Sequence, residues 1–140
     1  MEFEIRPYST PDFAGVVRLW QLCFPDDPPH NQAAVAIPAK LAMDDELLLV
    51  AATRDQIIAG SIIGGYDGHR GWLYSVAVDP NFERRGIGRA LVEASLVRLA
   101  IHGCSKVNIQ IREGNEKVIE FYAGLGFTVE PRTSMGIRIG

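Results

Sequence analysis

Residues 76–91 of this 140-residue chain, Val-Ala-Val-Asp-Pro-Asn-Phe-Glu-Arg-Arg-Gly-Ile-Gly-Arg-Ala-Leu, restrict the fold more than any other stretch. Tyr74, Val76 and Val78 alternate with Ser75, Ala77 and Asp79, a strand pattern that Pro80 ends. Beyond the loop, Ile87, Ala90, Leu91, Ala94, Val97 and Ile101 recur at helical spacing. The junction is therefore a strand, a two-glycine loop and a helix start. A helix start leaves backbone N–H groups unpaired and carries the positive end of the macrodipole. Gly86 and Gly88 let a ligand approach the backbone closely, and Arg84, Arg85 and Arg89 add positive charge. A phosphate or pyrophosphate suits such a site, with Ile87 contributing its backbone.

Read alone, the same residues also suit a glycine-rich turn with solvated arginines. Two nucleotide motifs are excluded. The chain has no Gly-x-x-x-x-Gly-Lys-Ser/Thr run. A dinucleotide fingerprint needs a third glycine, but position 91 is Leu, and Ser105 to Gln110 contain no acidic ribose partner.

A second ordered signature follows. Asn115, Phe121-Tyr122 and Gly126-Phe127 fit Asn-x-x-Ala-x-x-Phe-Tyr-x-x-x-Gly-Phe, with Val118 in place of Ala. Together with Arg85-Gly86-Ile87-Gly88 and Ala90-Leu91, the chain resembles the GCN5-related N-acetyltransferases (GNAT). The resemblance runs from Ile5-Arg6-Pro7 to the C-terminal residues. The Gly64 to Gly71 run is similar to small bacterial members of the YpeA type. Glu83 stands where the family loop has Gln or Arg, and Arg84 where Gly is usual. A carboxylate beside a pyrophosphate repels it by roughly 1 kcal/mol, which Arg84 and Arg85 can offset.

Length and composition suit one domain, residues 1–140, with one core. Hydrophobic residues make up 47% and charged residues 22%, a globular balance. The net charge is −3, and the three arginines of the loop form the one basic cluster, too small for a duplex-binding surface. Nucleic acid is not an expected partner. Cys23 and Cys104, both in apolar segments, read as buried free thiols, with no disulfide framework and no metal pattern. The first residues lack signal-peptide character, and no apolar run reaches the roughly 18 residues of a membrane span. A cytoplasmic protein without a membrane partner is expected.

In chain order, residues 2–6 read as a strand. Thr10-Pro11-Asp12 opens a helix with Thr10 as N-cap, and Phe13, Val16, Val17, Trp20, Cys23 and Phe24 form its buried stripe. Residues 31–43 suit a second helix interrupted near Pro38. Strands are expected over 46–53, 57–65, 72–79 and 106–111, and a helix over 115–124. Closing strands are expected over 127–130 and 134–139. Hairpins in the first half and crossover helices in the second give a mixed α/β sheet. The resemblance implies the GNAT version, whose two central strands splay to admit a pantetheine arm.

What the resemblance implies for chemistry is acetyl transfer from acetyl-CoA, as cosubstrate, to a primary amine of a small molecule or peptide. The loop from Arg84 to Arg89 would hold the pyrophosphate. Val76 and Val78 would pair their backbones with pantetheine amides, and Asn115 would hydrogen-bond the arm or a bridging water. Tyr122 matches the general acid, although its spacing also fits a core aromatic. Gln110 stands where the ribosomal-protein acetyltransferases carry a Glu base, and it cannot act as one. Asp67, His69, Glu46 or a water chain remain as bases. Asp67 and His69 equally suit an Asp-Gly turn with an exposed imidazole. Cys104 is a poor nucleophile candidate. Two rival readings are an acyl-CoA-binding module without catalysis and a phosphate-binding regulator. The chain reads as a monomer or a homodimer.

Overall fold

The computed structural model describes residues 2–140, which fall into two compact units divided after Gln110. The first holds β1 (Phe3–Pro7), α1 (Phe13–Cys23), α2 (Ala33–Leu41), β2 (Leu48–Thr53), β3 (Ile58–Tyr66), β4 (Gly71–Val78), α3 (Ile87–Ile101) and β5 (Val107–Ile109). The five strands form one sheet in the order β1-β2-β3-β4-β5. The first four are antiparallel neighbours, and β5 runs parallel to β4. The helix between β4 and β5 supplies the long crossover that a parallel pair requires.

Helices cover both faces. Val16, Leu19 and Trp20 of α1 and Ala33 and Ile37 of α2 share one core with Val50, Ile58, Ile63 and Ala77. The Trp20 indole N–H donates to Ser61 Oγ at 2.8 Å, so this Trp belongs to the core. On the other face α3 packs tightly over β3. A Cβ on Gly60 would lie 2.8 Å from Ile87 Cγ2 and 3.0 Å from Leu91 Cδ1, so only glycine fits under the helix.

The buried face of α3 is Ile87, Leu91, Val92, Ser95 and Leu99. Val97 and Ile101, expected inside, are 62% and 80% exposed. Apolar spacing alone admitted two overlapping stripes, and packing on the sheet selects the one that includes Ser95. The first helix is also capped differently. A 3₁₀ turn, Thr10–Asp12, precedes it, and Ser9, not Thr10, is the cap. Asp12 Oδ2 accepts from the Ser9 N–H at 2.9 Å and from Arg6 Nη1 at 2.7 Å. Neither cysteine is fully buried; both are half-buried and free. Among the described residues, no helix is long and apolar enough to cross a membrane.

The second unit contains α4 (Glu116–Gly124), with Asn115 at its N-cap. The Tyr122 ring makes edge contacts with Phe121 and Phe127 at centroid distances of 5.0 and 5.3 Å. The closing strands do not form: residues 127–139 carry no strand. Met135, Ile137 and Ile139 do alternate with Gly136 and Arg138, but all three are at least 90% exposed. Period-2 patterning becomes a strand only where a ladder and a buried face stabilise it.

Candidate active site

Strand β4 outruns its parallel neighbour. The β4–β5 ladder has three pairs, Gly71 with Val107, Trp72 with Asn108, and Leu73 with Ile109. Strand β4 continues to Val78, so its second half has no β5 beside it. A bulge opens it further. Ser61 faces Ala77 and Ile63 faces Tyr74, which sets Ser75 and Val76 together against Ile62. Ser75 takes a φ of 49°, a left-handed conformation of the kind found in G1-type bulges. The Asp79 N–H donates to Ala59 O, back towards β3. Antiparallel alternation then turns the N–H and C=O of Val78 and Val76 away from β3, to the side without a ladder. That edge is a row of amide groups on which another amide chain can pair.

The strand end is anchored by Asp79, which is 1% exposed. Its carboxylate accepts from Arg18 Nη2 and from the Asn81 N–H, each at 2.9 Å. A 3₁₀ turn, Pro80–Phe82, leads into the loop. Arg84 and Gly86 have φ values of 62° and 80°. Gly86 is the N-cap of α3. A Cβ built on it would meet nothing within 4 Å, so the backbone faces open space there. The first amides of α3, from Ile87 to Arg89, have no acceptor within the helix and lie at the positive end of its dipole.

The arginines differ. Arg84 and Arg85 are exposed, and Arg85 lies over the Phe82 ring at 5.8 Å. Arg89 is ion-paired with Glu93 at 2.8 Å, which offsets its charge. Glu83 is exposed, and its charge, after burial and Asp79, helps hold the Cys23 thiol above its usual pKa. The Cys23 thiol donates to Val78 O at 3.4 Å, on the open edge of β4. Neither Asp79, Arg18 nor Cys23 belongs to a motif. The sequence singled out neither Arg18 nor Asp79 for the site, because their pairing joins α1 to the end of β4 and appears only in the fold.

Asn115 and Tyr122 belong to the second unit. Asn115 is exposed, and its side chain makes no capping hydrogen bond. Tyr122 is 6% exposed, and burial pushes its hydroxyl up to about 12. Such a phenol stays protonated across the neutral range, and the shift makes it a weaker acid than a solvent-exposed tyrosine.

The candidate bases lie on loops. Asp67 Oδ1 accepts the N–H groups of Arg70 (2.9 Å) and His69 (2.7 Å), which lower its pKa. This is an Asx turn at the tip of the β3–β4 hairpin, with His69 exposed. A carboxylate held ionised by its own turn is a weak base. Glu46 is exposed beside β2, where it lines a pocket of about 90 Å³ with Tyr8, Lys40 and Asp45. Strand β3 separates it from β4.

The profile of the Acetyltransferase (GNAT) family matches residues 13–127. The chain belongs to the GNAT acetyltransferase family. An acetyltransferase of Yersinia enterocolitica is 40% identical over 138 residues, which cover 97% of this chain and 95% of that protein. Among solved structures, Ard1 from Thermoplasma volcanium superposes with a TM-score of 0.82 at 26% identity, over 93% of this chain and 85% of that one. AAC(6')-Iy, solved with the bisubstrate analogue CoA-S-monomethyl-acetylneamine, shares the fold with a TM-score of 0.79 at 17% identity, over all of both chains. This GNAT acetyltransferase thus has the family's mixed sheet and its parted β4–β5 pair.

Proposed function

We propose that this N-acetyltransferase uses acetyl-CoA and transfers the acetyl group directly to a primary amine. The observation that carries this reading is the end of the β4–β5 ladder at Leu73, with β4 running on unpaired on that side into a loop where Gly86, the N-cap of α3, opens onto free space. Val76 and Val78 would pair with the amides of the pantetheine arm. The amides from Gly86 to Arg89, with Arg84 and Arg85, would hold the pyrophosphate. Arg89 contributes chiefly its backbone, because Glu93 holds its side chain. Asn115 would hydrogen-bond the arm through its uncommitted side chain. The family match runs through both units, which supports reading the chain as a single domain.

In the transfer, the amine nitrogen attacks the thioester carbonyl carbon and the C–S bond breaks. Tyr122 gives its phenolic proton to the leaving thiolate, and the proton lost by the amine restores it through water. The Phe-Tyr motif position supports this role. With the Asp67 carboxylate spent on its turn and Gln110 unable to act, a water chain is the favoured route for the amine proton.

Calorimetric titration with acetyl-CoA tests the reading. Micromolar binding, lost in Gly86→Glu, followed by thiol release with an amine panel, is the expected result. Binding without turnover across the panel would leave the non-catalytic acyl-CoA-binding module. Absence of acetyl-CoA binding would overturn both.

A further inference from the structure

The face of the β3–β4 hairpin that looks towards α1 and α2 carries Trp72 and Tyr74. Its side is fixed by Ile63, which pairs with Tyr74 and packs in the core under those helices. Gly65, opposite Trp72, adds no side chain there. A Cβ on Gly65 would lie 4.0 Å from Tyr74 Cε2, so the Tyr74 ring leans over the glycine towards the hairpin tip. The ring is 50% exposed although it sits mid-strand. It also follows Leu73 directly, the last residue of β4 paired with β5. Tyr74 thus starts where the β4–β5 ladder ends, and its ring leans from there towards the tip, where Asp67 stands.

The tip beyond the ring carries one carboxylate, Asp67, and one guanidinium, Arg70. Lys40, 3.9 Å from the same Gly65 position, is already neutralised by Asp45 at 2.7 Å. The Arg70 guanidinium lies against the His69 ring at 3.4 Å. Asp67 is exposed and uses Oδ1 for both hydrogen bonds of its turn. Burial, and then the charge of Asp67, raise the Tyr74 hydroxyl above its usual pKa.

We propose that Tyr74 and Asp67 select the acceptor, a linear diamine or polyamine whose reacting amine enters between β4 and β5 while its second ammonium rests on the Tyr74 ring beside Asp67. This rests on the acetyltransferase reading above. The aromatic face attracts an alkylammonium and covers its methylene stem, and the carboxylate adds a direct charge partner. A monoamine of the same length keeps the stem contact and lacks the second charge. Tyr74 and Asp67 are specificity-determining residues, not participants in the transfer.

The test compares kcat/KM for cadaverine and pentylamine in wild type, Asp67→Asn, Tyr74→Phe and Tyr74→Ala. Asn retains the Oδ1 that accepts both turn N–H groups, so Asp67→Asn keeps the hairpin. Wild type is expected to prefer the diamine by roughly five- to tenfold, the worth of one partly exposed charge pair with a cation–π contact. Asp67→Asn removes most of that preference. Tyr74→Ala raises KM for both amines with kcat nearly unchanged, and Tyr74→Phe behaves as wild type because the ring, not the hydroxyl, makes the contact. A preference that survives Asp67→Asn, or a KM that ignores Tyr74→Ala, overturns the proposal. Calorimetric binding of cadaverine to the CoA-loaded protein separates the two readings. Binding that both variants weaken, with no amine acetylated, keeps this site and overturns acetyl transfer. Acetylation of other amines, with no binding of cadaverine, does the reverse.

Discussion

Arg18 Nη2 stands 2.9 Å from Asp79 Oδ2, and through this pair α1 holds the end of β4 from which the glycine loop springs. The Asp79 side chain is 2% exposed and that of Arg18 is 46% exposed, so the carboxylate carries most of the burial. Its second oxygen caps the turn at Asn81. Asp79→Ala removes both bonds and is expected to cost roughly 2–3 kcal/mol of stability. Arg18→Ala leaves the buried carboxylate with its cap alone and costs about as much. Both variants should bind acetyl-CoA more weakly, because the loop amides lose their fixed starting point. Urea denaturation and calorimetry read the two effects. Binding unchanged in a variant that is clearly destabilised would show that the loop does not depend on this anchor.

Gly86 separates backbone conformation from ligand clearance. Its φ is 80° and nothing lies above it, so Gly86→Ala adds no clash within the protein. The substitution instead costs about 1 kcal/mol for a left-handed alanine. Asn accepts this conformation more readily, so Gly86→Asn should be the more stable variant by urea denaturation. Both should lose acetyl-CoA affinity, since each puts a Cβ where the pyrophosphate is to approach. Retained affinity in both would move the anion site off this glycine.

Much of the first unit was legible because its signals are local. Alternation marked β4, the glycines marked the loop, and two ordered motifs indicated the family. What escaped were choices made by tertiary packing. Apolar spacing in α3 admitted a stripe through Val97 and Ile101, and the sheet takes the stripe through Ser95 and Leu99. Ser9 displaces Thr10 as cap because the Asp12 carboxylate meets the Ser9 N–H and the Arg6 guanidinium at once. The tail from residue 127 has strand alternation but no ladder. Tyr74 gave a strand signal only; its exposed ring over Gly65 needed the register of β3 and β4 to be known.

The Arg6–Asp12 pair predicts an acid limb. The Arg6 guanidinium bonds both oxygens of Asp12, at 2.7 and 2.9 Å. Against the opposing effect of burial, these bonds and those from Ser9 lower the Asp12 pKa from 3.8. The folded state therefore binds the proton less readily than the unfolded chain does. The stabilisation is present above pH 3.8 and is lost as pH falls below it through the lowered folded value. Asp12→Asn should be less stable at neutral pH and should lose less on acidification than wild type. Parallel losses in urea titrations at successive pH values would remove Asp12 from the acid limb.

Tyr122 makes the opposite prediction at alkaline pH. Burial raises its hydroxyl from 10.0 to about 12, so the folded state keeps a proton that the unfolded chain releases. Its contribution is fully present below pH 10 and is lost as pH rises towards 12, an effect of about 3 kcal/mol at most. Tyr122→Phe should flatten that limb and leave neutral stability nearly unchanged, since the ring contacts to Phe121 and Phe127 persist. Activity should respond differently. If the phenol protonates the leaving thiolate, Tyr122→Phe lowers kcat about a hundredfold and leaves acetyl-CoA binding intact. Between pH 7 and 10 the wild-type rate should show no loss from ionisation of Tyr122, because the acid form persists throughout. A basic limb below pH 10 that vanishes in Tyr122→Phe would mean the hydroxyl is better solvated than its burial implies. An unchanged kcat would leave it as a core aromatic.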